Sequence, residues 1–166
     1  MEISFRKAAL QDLDEVVSLY AAAVRRMNEN DIWQWDPSYP NRDVLREDIA
    51  SGSLIIGRTE GRTVSAVAYN LKSDDITRAA QWRYTEANYR IAHRLCVSPD
   101  FSGRGAGCRT MLFLEELLRS EGIEALRLDT VSENVPALRL YRCLGYEVRG
   151  TRQYERGTVY FMEKHI

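Results

Sequence analysis

The sequence is poor in the residues that metal sites, disulfide frameworks and flexible linkers require. Its 166 residues include three cysteines, Cys96, Cys108 and Cys143, and two histidines. No CxxC spacing occurs, so neither a metal site nor a disulfide framework is expected. Each cysteine reads as a small apolar filler. There are four prolines, no Pro/Gly/Ser-rich linker and no internal repeat, and one domain over 1–166 is the simplest reading. No apolar run approaches the roughly 20 residues of a membrane-spanning helix, so no membrane partner is expected. An excess of one charge is missing too. Acids and bases are mixed along the chain and sum to a net −1, which argues against a nucleic-acid partner, since such proteins usually carry a basic stripe. The N-terminal MEISFRKAAL lacks the apolar core of a secretory signal, and a cytoplasmic location is expected.

What is present is periodicity. Ile3 and Phe5 alternate in a short strand over 2–6, and Leu13, Val16, Val17, Tyr20, Val24 and Met27 recur at helical spacing from Gln11 to Met27. Residues 30–41 break every period. Asn41 or Asp43 can cap a second helix ending near Ala50. Residues 53–58 and 63–72 form a predicted hairpin around the EGR turn. Residues 73–88 read as a loop, with room for a helical turn, and Tyr89–Val97 reads as a strand. A helix follows from GRGAG through Leu118 to a stop at Gly122, burying Cys108, Met111, Leu112, Leu114, Leu117 and Leu118. Residues 125–131 form a strand. Pro136 suits the first turn of a short helix, with Leu138, Tyr141 and Leu144 on one side and Gly145 closing it. Strands over 146–154 and 158–165 end the chain. The order β-α-α-β-β-β-α-β-α-β-β predicts an α/β (α+β) fold, a mixed sheet with helices packed against it.

The sharpest feature is the segment RLCVSPDFSGRGAGCRTMLF, 94–113. A strand ends, and Gly103, Gly105 and Gly107 lead into a helix. Glycines admit close backbone approach, and a helix start offers unpaired N–H groups and a positive dipole end. Together they suit a phosphate or pyrophosphate. The dinucleotide fingerprint fails, because its third glycine falls on Cys108. The P-loop fails because Cys108-Arg109 stands where Lys-Ser or Lys-Thr is needed.

This segment resembles the pyrophosphate loop of the GNAT superfamily of acyl-CoA-dependent N-acetyltransferases, Gln/Arg-x-x-Gly-x-Gly/Ala after the fourth strand. Ser102-Gly103-Arg104-Gly105-Ala106-Gly107 matches its glycines, with Ser102 in place of Gln or Arg. A second stretch, RLDTVSENVPALRLYRCLGY, resembles the family's later motif through Asn134, Ala137, Tyr141, Gly145 and Tyr146. The resemblance spans the chain and is weakest between 28 and 92. It implies a mostly antiparallel mixed sheet flanked by helices, and acetyl-CoA as cosubstrate. It places the cosubstrate on Ser102 to Cys108, on the backbone of Leu95, Cys96 and Val97, and on Asn134, Ala137 and Tyr141. A homodimer is common in the family.

The chemistry narrows the remaining candidates. An amine must be neutral to attack a thioester, so a general base helps, and the leaving thiolate gains from an acid. By the resemblance, Tyr141 is the acid candidate. Strand alternation puts Ile91, His93, Leu95 and Val97 on one face, and His93, which titrates in a useful range, is the base candidate. Asp129, two residues after Arg127, is a further candidate, with pairing to Arg127 as the alternative. Trp33, Trp35 and Tyr39 lie in the 30–41 loop, and Trp82, Tyr84 and Glu86 in the 73–88 loop. By the resemblance, the early helix–helix loop and neighbouring strands shape the acceptor pocket, and the three tryptophans are substrate-binding candidates. A small-molecule amine is the expected acceptor. A protein or peptide acceptor, a non-catalytic acyl-CoA sensor and an unrelated nucleotide-binding domain remain open.

Overall fold

A computed structural model describes residues 2–73 and 80–166. The elements are β1 (Ser4–Lys7), α1 (Leu13–Glu29), α2 (Arg42–Ala50), β2 (Leu54–Thr59), β3 (Arg62–Asn70), β4 (Tyr89–Val97), α3 (Ala106–Ser120), β5 (Ala125–Val131), α4 (Val135–Cys143), β6 (Glu147–Tyr154) and β7 (Gly157–His165). This is the order expected from the sequence. The strands follow one another as β1-β2-β3-β4-β5-β7-β6. The β4–β5 pairing is parallel, and the β1–β2, β2–β3, β5–β7 and β6–β7 pairings are antiparallel. The fold is therefore mixed α/β with a mostly antiparallel sheet. The loop expected over 73–88 falls partly on 74–79, outside the described residues.

The chain forms two compact units, and β4 and α3 each contribute residues to both. The first unit holds residues up to Tyr69 and Arg94–Leu114. Its core packs Leu13, Val16, Leu19 and Tyr20 of α1 with Leu45 and Ile49 of α2, Leu54 and Ile56 of β2, and Ala66 and Ala68 of β3. Steps of three and four along α1 put these side chains on one stripe. The Asn41 side chain caps α2 by accepting from the Asp43 and Val44 N–H groups. Ile3 and Phe5 share a side of β1, since a Cβ at Gly57 would strike both. Cys96 is buried, as a filler should be. Leu112, expected on the buried face of α3, is 47% exposed. Phe113 turns inward instead and stacks on Phe5 with ring centres 4.9 Å apart.

The second unit holds Asn70–His93 and Glu115–Ile166. The β5–β7 register sets Arg127, Asp129 and Val131 opposite Glu163, Phe161 and Val159. Strand alternation therefore puts all six on one face. Val131, Val159 and Phe161 cluster there, with Ala80, Trp82 and Tyr154 packed over them. On α4, Leu138 and Tyr141 are buried, as expected, and Pro136 lies in the first turn. Cys143 is exposed, which corrects the filler reading for that residue: it stands on the solvent side of the same short helix.

Candidate active site

In the first unit β4 ends at Val97, and the Ser98 N–H donates to the Val64 carbonyl at 2.8 Å. A 3-10 turn over Pro99–Phe101 then leads through Ser102, Gly103, Arg104 and Gly105 into α3. Gly103 and Gly105 have φ of +73° and +79°, and a Cβ added at either would meet nothing within 4 Å. The glycines are thus required by backbone handedness, and the space beside them is open. Gly107 lies inside α3 and makes no such turn.

The first backbone bond of α3 runs from the Arg109 N–H to the Gly105 carbonyl at 3.1 Å. The N–H groups of Ala106, Gly107 and Cys108, one turn earlier, therefore have no intrahelical acceptor, and they point with the positive dipole end at the loop. The loop fits an anion. Arg104 places its guanidinium over the Phe101 ring at 5.6 Å, which holds the side chain beside the loop. The buried Thr110 hydroxyl bonds Ser65 Oγ at 2.7 Å and the Ala106 carbonyl at 2.8 Å, fixing the start of α3 against β3.

Upstream, Arg94 has φ of +53° in the middle of β4. A left-handed residue in a strand marks a bulge, so the alternation expected to run through Ile91, His93, Leu95 and Val97 is broken there. The bulge is anchored from three sides. Arg94 donates to Asp48 Oδ2 at 2.5 Å and to the Tyr39 hydroxyl at 2.9 Å, and its carbonyl accepts from the Tyr20 hydroxyl at 2.6 Å. Leu95, Cys96 and Val97 follow it. Burial pushes the Cys96 thiol up, so it remains an unreactive thiol.

In the second unit the β4–β5 pairing covers Tyr89, Arg90 and Ile91 against Ala125, Leu126 and Arg127 and ends there. His93 and Asp129 are the next residues on the same face of their strands, past the last pair. His93 Nε2 lies 2.9 Å from Asn70 Oδ1, which also accepts from the Lys72 N–H at 2.8 Å. That fixed backbone donor identifies the Asn70 atom as the oxygen. Nε2 therefore donates to it.

Tyr141, on α4, meets Tyr146 edge-on at 5.8 Å. Burial, and then the charge of Asp129, hold its phenol above the usual range, so it keeps its proton. The Asn134 side chain accepts from the Ala137 N–H at 3.2 Å, capping α4. His93, Asn134, Ala137, Tyr141 and Trp82 thus belong to the second unit, whereas Leu95, Cys96, Val97 and the 102–108 loop belong to the first.

The tryptophans differ in setting. Trp33 is exposed. Trp35 packs on the first unit's core, with its ring 5.9 Å from Tyr20. Trp82 covers the Asp129 face of β5 and β7.

The family model for the acetyltransferase (GNAT) family matches residues 16–146. The chain belongs to the GNAT acetyltransferase family. Acetyl-CoA is the cosubstrate of this GNAT family. The chain is similar to the S-alkylcysteine N-acetyltransferase of Bacillus subtilis, at 25% identity over 87% of this chain and 78% of that protein. It is also similar to the L-methionine sulfoximine/L-methionine sulfone acetyltransferase of Pseudomonas aeruginosa, at 26% identity over 90% of this chain and 83% of that protein. Among solved structures, a GNAT acetyltransferase from Streptococcus agalactiae shares the fold with a TM-score of 0.83, at 24% identity over 99% of this chain and 95% of that one. The PaiA N-acetyltransferase of Thermoplasma acidophilum, solved with coenzyme A, shares it with a TM-score of 0.76, at 16% identity over the full length of both.

Asn70, the neighbour of the candidate base, escaped the sequence reading. Asn70 sits at the end of a strand with no motif to mark it. Arg127, the alternative partner for Asp129, pairs with Glu163 instead, Nε to Oε1 at 3.0 Å. The register explains this, because Glu163 lies directly opposite Arg127.

Proposed function

We propose that the protein, as a single catalytic domain, transfers the acetyl group of acetyl-CoA to the primary amine of a small molecule by direct attack on the thioester. The observation that carries the reading is the left-handed Gly103–Gly105 turn feeding the open N-terminus of α3, which suits a pyrophosphate. The likeness to two acetyltransferases named for small amino-acid derivatives supports the acceptor class. A cytoplasmic location goes with this reading.

In this mechanism Ser102 to Cys108 hold the pyrophosphate with backbone N–H groups. The N–H groups of Leu95, Cys96 and Val97 hold the pantetheine arm and the thioester oxygen, giving donors where negative charge develops. Asn134 and Ala137 flank the arm at the start of α4. His93, held by Asn70 through Nε2, takes the amine proton. As the N–C bond forms and the C–S bond breaks, Tyr141 gives its proton to the sulfur. The products are the amide and the free thiol, and the proton on His93 returns to Tyr141 through solvent. Trp33, Trp35 and Trp82 are the proposed acceptor-side residues, of which Trp82 lies on the Asp129 face.

The test is a screen of amines with CoA release as readout, including S-methylcysteine, methionine sulfone, polyamines and peptides. Release with a small amine supports the reading. Release with peptides alone makes the protein a peptide acetyltransferase. Acetyl-CoA binding with no release for any amine makes it a sensor.

A further inference from the structure

On the face of β5 that carries Arg127, Asp129 and Val131, the two charges are served unequally. Arg127 is matched on every side. Its Nε pairs with Glu163, its guanidinium lies over the Tyr89 ring at 3.8 Å and the Trp82 ring at 4.6 Å, and it donates to the Tyr84 carbonyl at 3.1 Å. Glu163 is itself saturated by the Arg83 N–H at 2.9 Å. Asp129, two residues on, has no ion pair and no hydrogen bond to another side chain among the described residues. The cation whose charge reaches it is Arg152, which is exposed on β6. Burial pushes the half-buried Asp129 carboxyl up, against the lowering effects of the Arg152 charge and of a hydrogen bond from its own backbone.

An unmatched acid in a packed sheet is a cost that sequence change to Asn or Leu would readily remove. Its position supplies a reason to keep it. Asp129 stands one step past the last β4–β5 pair, level with His93 across the open end of the pairing. Its charge also bears on the Tyr141 phenol. The carboxylate thus shares the neighbourhood of both groups assigned to proton transfer. The partner it lacks is a cation with N–H donors. Beside it on this face lie the apolar Val131, Val159 and Phe161 with Trp82 over them, flanked by the Arg127–Glu163 pair on one side and by Arg152, opposite Val159, on the other.

We propose that Asp129 is the acceptor-recognition residue: it receives the incoming amine in its ammonium form, by a charge-assisted hydrogen bond at the open end of the β4–β5 pairing, and it selects compact amines with an apolar body. This rests on the acetyltransferase reading above. The ammonium N–H that faces His93 passes its proton to that ring, the freed lone pair attacks the thioester carbon, and Asp129 keeps its charge throughout. Asp129 lies in the 127–146 stretch but is not among the residues that carry the family resemblance, and its role is separate from cosubstrate binding.

Steady-state kinetics with acetyl-CoA and the best amine of the screen test this on the full chain. Asp129→Asn is expected to raise the KM for the amine at least tenfold and to leave the KM for acetyl-CoA within twofold. Asp129→Glu should recover part of the amine affinity. The melting temperature of Asp129→Asn should be equal to or above that of the wild type, because a half-buried charge without an ion pair has gone. A structural role would lower it. An active Asp129→Asn enzyme with unchanged amine KM overturns the inference alone, as does a lowered melting temperature with both KM values raised together. A wild type that acetylates none of the amines overturns the functional reading, and this inference with it.

Discussion

Arg94 and Asp48 form an ion pair at 2.5 Å, with side chains 11% and 8% exposed, beneath the left-handed bulge of β4. Leu95 to Val97 follow the bulge directly, so the pair supports the backbone assigned to the proposed thioester site. Removing one partner leaves the other charge buried without this counter-ion. Asp48→Ala is expected to destabilise the protein by about 3–5 kcal/mol, read as a drop in the urea midpoint. Arg94→Gly should cost less, because glycine adopts the positive φ without strain. Equal losses for the two variants would show that the pair is not what holds the bulge.

Gly105→Ala tests the turn. No atom lies within 4 Å of the new Cβ, so the cost is backbone strain alone, about 1–2 kcal/mol. The same strain displaces the N–H groups that face the pyrophosphate. Calorimetric binding of CoA should weaken at least tenfold, and Gly107→Ala, at a helical position, should weaken it far less. Equal effects at 105 and 107 would refute the distinction.

Tyr141→Phe removes the proposed acid and keeps the ring. Turnover is expected to fall by roughly 10²-fold or more, with acetyl-CoA affinity nearly unchanged. For His93→Ala, the deficit should be largest near neutrality and below, where unaided neutral amine is scarce, and should close as pH rises toward the amine's own pKa. A pH–rate profile parallel to the wild type would remove His93 as the base.

The acid limb of stability should carry the mark of Asp12. Arg6 clasps its carboxylate with bonds of 2.7 and 2.8 Å, and the Ala9 N–H adds a third at 2.8 Å. These bonds, the Arg6 one foremost, hold the Asp12 carboxyl below its usual range. A depressed carboxyl stabilises the fold above its unfolded pKa of about 3.9, and that contribution is lost as pH falls through the folded value. Asp12→Asn is expected to cost about 1.5–3 kcal/mol at pH 7. The gap to wild type should shrink by pH 2.5 in urea titrations, and a gap independent of pH would refute the assignment.

The sequence by itself determined the element order, the glycine turn and the family. These follow from local rules: apolar spacing sets helix or strand, Asn41 and Pro136 set helix starts, and a left-handed turn demands glycine at 103 and 105. Tyr141 and Asn134 stand out as candidates because they sit in a short motif at fixed spacing. Tertiary structure alone decided the rest. Arg127 looked able to pair with its near neighbour Asp129, but the β5–β7 register put Glu163 opposite it and left the Asp129 carboxylate unmatched. Alternation along β4 failed at Arg94 because a residue 46 positions away, Asp48, anchors a bulge there. The partner of His93 Nε2 is Asn70, 23 positions upstream. In each case the deciding partner is distant in sequence and is brought near by strand register or helix packing, which no local period encodes.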